Sequence, residues 1–172
     1  MLYQFLTIWV LDAPIEQVWQ AIIDYDTLPQ WWSAVRELNQ IESGTEDGVG
    51  SRWQQVWVTP LSYKIKFTAE ILRVESPYLL EIAAKGNVNG QGMWQLQATP
   101  TGTEVRYYWT VKTTEAWMNR VAVILRPLLE WNHNAIMTQG GQGLAQHLGV
   151  ALVKVENLKG AYPGELAELK KL

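Results

Sequence analysis

Few residues in this chain have the types and spacing that chemistry needs. His133 and His147 are its only histidines. On one helix they stand about 21 Å apart, so they cannot share a metal. There is no Cys, and no acidic cluster completes a coordination sphere. The sequence therefore points to no metal and no cofactor. His133 sits two positions from Trp131, about 200° around a helix, and should face away from a pocket lined by Trp131. That placement argues against an acid–base role. No Ser–His–acid arrangement is legible. Glu70 falls on the wet face of an alternating segment. Glu81 sits between Leu80 and Ile82, where a buried carboxylate would serve as acid or base and a solvated one would not. Gly140, Gly141 and Gly143 lie inside a helical pattern, outside the strand-to-helix context in which glycines cradle phosphate. Each costs a helix about 1 kcal/mol relative to Ala, so a packing reason is expected: close approach of helix to sheet, or local bending.

The chain has ten tryptophans. Each ring buries a large apolar area and keeps one N–H that needs a partner. Trp53 and Trp57 share one face of a segment, with Arg52 and Gln54 on the other; the pattern leaves open which face turns inward. Trp94 and Trp109 fall in alternating segments, and Trp117 and Trp131 on one helical stripe. Trp31 and Trp32 sit on a short helix, as part of a pocket mouth or as a clamp under the first helix. So many rings either fill a core or wall a cavity for an apolar guest.

The elements that would position these rings can be read from periodicity. Residues 3–11 alternate and form a first strand. Asp12-Ala13-Pro14 starts a helix in which Ile15, Val18, Trp19 and Ile22 make one apolar face. A second short helix covers residues 28–34. Strands follow near 35–42, 50–58, 62–75, 78–85, 88–98 and 103–112, separated by turn signals such as Thr59-Pro60, Ser76-Pro77 and Thr99-Pro100-Thr101-Gly102. Short connections make them antiparallel neighbours. From Glu115 to His147 the period becomes helical, with Trp117, Val121, Ile124, Leu128, Trp131, Ala135, Thr138 and Ala145 on one stripe. Pro127 should kink or divide this helix, and Gly149 should cap it. Residues 149–172 read as a partly helical or loosely packed tail after a domain spanning 1–148. The fold class is α+β: a curved seven-stranded antiparallel sheet wrapped around a long C-terminal helix. Such a sheet is too wide for one helix to fill, so a cavity between them is the physical expectation.

Bulk properties narrow the classes. A chain of 172 residues is long enough for one domain that buries about 70% of its unfolded surface. Net charge is −3 and no basic run exceeds Lys170-Lys171, which argues against nucleic acid. No apolar run approaches the roughly 20 residues of a membrane span. There is no leader pattern, and a cytoplasmic location is expected.

The element order, the opening Leu11-Asp12-Ala13-Pro14-Ile15-Glu16-Gln17-Val18-Trp19, the Gly48-Val49-Gly50 turn, the Trp94-Gln95-Leu96 and Gly102-Thr103-Glu104-Val105 pair, and Trp131-Asn132-His133 before Met137 and Gly143-Leu144 together form a pattern. Over roughly residues 3–148 it resembles the START-like, polyketide cyclase/dehydrase superfamily (SRPBCC), whose helix-grip fold is shared with pollen allergens. The resemblance implies an elongated pocket between sheet and long helix, gated by loops. Alternation then suggests Tyr63, Phe67, Trp94, Tyr107 and Trp109 as the sheet-side wall. Trp131, Ala135 and Thr138 would face them from the helix, the last two leaving room for a guest. Arg52 and Asn132 are the polar candidates.

Three functions follow from this pattern. The first is binding or carriage of a hydrophobic small molecule: a lipid, isoprenoid, polyketide or aromatic metabolite. The second is a polyketide cyclase, aromatase or dehydrase that folds its substrate in the pocket. The third is a protein-interaction module with an exposed apolar patch at Trp31-Trp32 together with the tail.

Overall fold

The computed structural model describes residues 2–114 and 116–160; of residue 113 and residues 116–125 it describes the backbone element alone. In chain order the elements are β1 (Leu2–Leu11), α1 (Ile15–Ile23), α2 (Leu28–Trp31), β2 (Val35–Glu42), β3 (Arg52–Val58), β4 (Lys64–Glu75), β5 (Leu79–Gly86), β6 (Val88–Thr99), β7 (Gly102–Thr113), α3 (Ala116–Leu148) and β8 (Leu152–Lys159). One antiparallel sheet takes all the strands, in the order β2-β3-β4-β5-β6-β7-β1-β8. This is the expected helix-grip architecture, with one strand more than the sequence pattern suggested.

Alternation becomes two faces. In β4, Phe67, Ala69 and Ile71 are buried while Lys64, Lys66 and Glu70 are exposed. In α1, Ile15, Val18, Trp19 and Ile22 all face the core. Pro14 starts that helix by offering its carbonyl to the N–H groups of Gln17 and Val18 at 3.1 and 3.2 Å.

The eighth strand corrects the reading of the tail. Residues 152–159 pair antiparallel with β1, with Trp9 opposite Val155 and Leu6 opposite Leu158. Without them β1 would present a row of unpaired backbone groups at a sheet edge. The strand eluded the pattern because it lies at the edge and is only half-buried, so its apolar residues do not alternate cleanly. A polar chain ties it inward. The Thr7 hydroxyl donates to Asn157 Oδ1 at 2.8 Å, and Asn157 Nδ2 donates to Thr138 Oγ1 at 3.1 Å. The remainder of the expected tail, residues 161–172, lies outside the described residues.

Helix α3 runs through Pro127 as one element. Its end closes with two backbone bonds, Gly149 N–H to the Gln146 carbonyl and Val150 N–H to the Ala145 carbonyl, around Gly149 at φ +68°. That is a Schellman cap, which needs a left-handed residue after the last turn. The packing reason for the three helix glycines is plain. A Cβ on Gly140 would stand 2.4 Å from the Trp32 ring, one on Gly141 2.9 Å from Trp9 Nε1, and one on Gly143 1.8 Å from the Trp31 carbonyl oxygen. The helix comes down on the tryptophans because these positions carry no side chain.

Gly143→Ala should therefore cost about 2–4 kcal/mol, although Ala gains about 1 kcal/mol in helix propensity, because backbone rather than a movable side-chain tip blocks the methyl. Gln142→Ala, on the exposed side of the same turn, should change stability by less than about 0.5 kcal/mol. Urea midpoints at unchanged slope measure both. Equal midpoints for the two variants would contradict the close seat.

Candidate functional site

Between the concave face of the sheet, α2 and α3 lies an apolar cavity of about 120 Å³. Five tryptophans reach it: Trp31, Trp32, Trp57, Trp94 and Trp109. Trp32 is the hub. Its ring centroid lies 5.7 Å from that of Trp9, 5.4 Å from Trp31, 4.9 Å from Trp57 and 6.2 Å from Trp94. These are the edge-on and offset distances at which aromatic rings attract. Its Nε1–H donates to the Ile136 carbonyl of α3 at 3.0 Å. Gly140 clears the space for that bond, one helical turn beyond Ile136.

Four of the five sheet-side residues expected in the wall are there: Phe67, Trp94, Tyr107 and Trp109. Trp94 stacks on Tyr107 at 4.1 Å, and Tyr107 on Trp109 at 5.9 Å. Tyr63, the fifth, is not in the wall. Its hydroxyl accepts a hydrogen bond from Asn132 Nδ2 at 3.0 Å, and burial raises its pKa. Asn132 is buried in that pair beside the cavity rather than lining it.

The helix side is corrected. Trp131 is 52% exposed and turned to solvent. Ala135 is half-buried outside the cavity wall, and Thr138 faces Asn157 of β8. The roof is instead His133, Ile136 and Met137. The packed stripe is offset by about one residue, some 100°, from the expected one. The reason is compositional. Buried Asn132, Gly140 and Gly141 dilute the true face, while exposed Trp131 and Leu128 strengthen a false one. Trp117, Val121 and Ile124 of the expected stripe lie outside the described side chains. The glycines held a usable signal: counting back from Gly140 by four and by seven gives Ile136 and His133.

The face of β3 is also settled. Trp53, Gln55 and Trp57 turn inward, and Trp53 stacks on Tyr25 at 4.8 Å. Arg52 lies on the opposite face, paired with Glu42 at 2.6 Å, so it supplies no cation to the cavity. Trp31 and Trp32 are 6% and 2% exposed, so these two rings form no exposed patch.

The polar groups that do line the cavity are Tyr25, Gln55, Tyr107 and His133. Trp57 Nε1 donates to Gln55 Oε1 at 2.8 Å. Burial pushes both tyrosine pKa values up, so both are neutral phenols. The His133 ring stacks on Phe5 at 3.8 Å, and its Nε2 is buried with no partner among the described residues. Burial pushes its pKa down to about 4, so it is a neutral imidazole at pH 7. The described lining thus carries no net charge at neutral pH. Among the described residues, no group of three or more His, Asp or Glu side chains could hold a metal, and no helix is long and apolar enough to cross a membrane.

Residues 9–149 match the family described as "Polyketide cyclase / dehydrase and lipid transport". No curated protein matches the chain in sequence. Among solved structures, a conserved protein from Geobacillus kaustophilus superposes with a TM-score of 0.70 at 15% identity, covering 90% of this chain and 98% of its own. TTHA0849 from Thermus thermophilus gives 0.70 at 18% identity, covering 86% and 97%. The di-domain ARO/CYC StfQ of the steffimycin biosynthetic pathway gives 0.64 at 12% identity over 87% of this chain and 53% of that one, so this chain spans about half of it. Identities this low establish a shared fold and nothing finer. With a family match covering most of its length and this architecture, the chain belongs to the polyketide cyclase/dehydrase and lipid transport family.

Proposed function

We propose that the chain binds or carries an uncharged hydrophobic small molecule in the cavity under α3. The observation that carries this reading is the cavity itself: a tryptophan wall, a roof of Ile136, Met137 and a neutral His133, and no charged lining group. Apolar surface of this kind gains by excluding water and favours a guest of matching character. The cyclase, aromatase or dehydrase reading has less support from the lining groups. Acid–base work needs a side chain with a pKa near the working pH. Here the phenols are held protonated and the one imidazole is held neutral by burial.

Toluene is a direct probe. At about ten times its Kd it should stabilise the fold by about 1.4 kcal/mol and raise Tm by about 3–6 °C. Ile136→Phe places a ring in the space from the helix side and should weaken toluene at least tenfold, as read by calorimetry. A Tm that ignores toluene, with Ile136→Phe no different from wild type, would sink the reading.

The neutral His133 makes a second expectation. Unfolded, it takes up a proton near pH 6.5; folded, only near pH 4. The unfolded state therefore binds the extra proton between these values, and stability falls as pH drops from 6.5 to 4, by up to about 3 kcal/mol. Subtracting the urea stability curve of His133→Phe from that of wild type isolates this loss from the carboxylates. Parallel curves across the window would contradict it.

A further inference from the structure

We infer that one end of the sheet docks on an anionic lipid surface. That end is built from the start of β4, the turn between β5 and β6, and the end of β7. The inference rests on charge and exposure outside the cavity and stands apart from the binding reading above.

Lysine placement comes first. Among the described residues, Lys154 and Lys159 are paired with Glu156 and Glu130. The other described lysines, Lys64, Lys66, Lys85 and Lys112, have no ion pair there, and all are exposed on the outer face at this end. Register sets their spacing. Lys85 stands opposite Thr68, so Lys66 is its diagonal neighbour at roughly 7–8 Å. Lys112 stands opposite Asn89 of β6, which puts it two strands from Lys85, roughly 10 Å away. These spacings do not exceed the Debye length of about 10 Å at 0.1 M salt, so the lysines act as one positive field. The segments that carry them are tied together. Asn87 N–H donates to the Lys66 carbonyl at 2.8 Å, Lys66 N–H to Asn87 Oδ1 at 2.8 Å, and the Thr114 hydroxyl to the Gly86 carbonyl at 2.7 Å. At the opposite end of the strands Arg52, Arg73 and Arg106 are each paired with a glutamate, and Asp12, Glu46 and Asp47 lie in the turns. A chain of net charge −3 thus keeps a positive end.

The residue types select the partner. Lys is a point charge on a flexible stem, which suits a fluid array of charges, whereas the Arg fork suits fixed carboxylates and phosphates. Two exposed leucines stand among the lysines. Leu2 lies opposite Lys112 and is 37% exposed; Leu61, in the β3–β4 connection just before Lys64, is 38% exposed. On an anionic membrane the basic groups are drawn to the headgroups while apolar side chains enter the boundary beneath them. A nucleic acid or an acidic protein surface in water would meet the lysines and gain less from the leucines. The same end carries part of the cavity wall: Ile65, between Lys64 and Lys66, and Val88, at the start of β6. Docking therefore holds that edge of the cavity toward the lipid.

Co-sedimentation with vesicles tests this. Vesicles of phosphatidylcholine with about one third phosphatidylglycerol should carry down the wild-type chain at about 0.1 M salt and release it at about 1 M, where the Debye length is about 3 Å. Vesicles of phosphatidylcholine alone should not. Lys85→Gln and Lys112→Gln should each weaken binding about fivefold, the effect of one basic residue near an anionic surface. Lys154→Gln, which removes a lysine already paired with Glu156, should change binding by less than about twofold. Leu61→Ser should weaken it about threefold or more, because apolar insertion adds to the attraction of charge. All four side chains are exposed, and an unchanged Tm checks that each variant keeps its fold. Equal recovery with the two kinds of vesicle, including none with either, overturns the inference. So does a Lys154→Gln loss as large as that of Lys85→Gln. If the lysine variants weaken binding and Leu61→Ser does not, the patch serves an acidic partner in solution and the lipid assignment falls. The toluene shift reads the cavity alone, so either reading can fail without the other.

Discussion

The seat of Trp32 on α3 is the contact from which the rest of the site follows. An indole ring can reach a helix carbonyl only where the helix surface is bare. Gly140 provides that surface, and Trp32 uses it to donate to the Ile136 carbonyl. The same ring touches four other tryptophans, drawn from β1, α2, β3 and β6. One side chain thereby sets the height of the helix above the sheet and the position of α2 at its flank. Gly141 over Trp9 and Gly143 over the Trp31 carbonyl repeat the device on neighbouring turns. The helix gives up about 1 kcal/mol of intrinsic propensity at each glycine and gains aromatic packing in return.

Fixing the helix at one end explains the cavity at the other. Near the glycines the helix lies in contact with the rings. Toward His133 and Ile136 it carries full side chains, and the sheet opposite carries large rings pointing inward. Those rings meet at their edges and faces rather than interlocking, and the space between them stays open. Its polarity is equally constrained. Phenols, a glutamine amide and a neutral imidazole tolerate burial at the cost of hydrogen bonds; carboxylates and ammonium groups would not without partners. The charged residues accordingly sit on the outer face, where Arg52–Glu42 and Arg106–Glu104 pair in solvent.

Much of this was legible before folding. The strands from β1 to β7 were visible because a sheet with one wet face forces alternation, as in Phe67, Ala69 and Ile71 against Lys66 and Glu70. The inward direction of Phe67, Trp94, Tyr107 and Trp109 came with that alternation. The cost of three glycines in a helix announced a close contact without naming its partner. What escaped was governed by weaker patterns. Strand β8 is an edge strand held by backbone pairing and by the Thr7–Asn157–Thr138 chain, and hydrogen bonds of that kind leave no hydrophobic period.

The sequence by itself determined the class of fold, the succession of the first seven strands along the chain and the faces of most of them, because each rests on contacts between neighbours or on a local period. Tertiary structure alone decided which side of α3 meets the cavity, which face of β3 turns inward, and that Trp31 and Trp32 are interior. A helix with Trp131 on one side and Gly140 on another has two plausible faces by hydrophobicity. Shape complementarity to the indoles of Trp9 and Trp32 chooses between them. That complementarity joins residues about a hundred positions apart; the local pattern marks the face only by its glycines and does not name the partners.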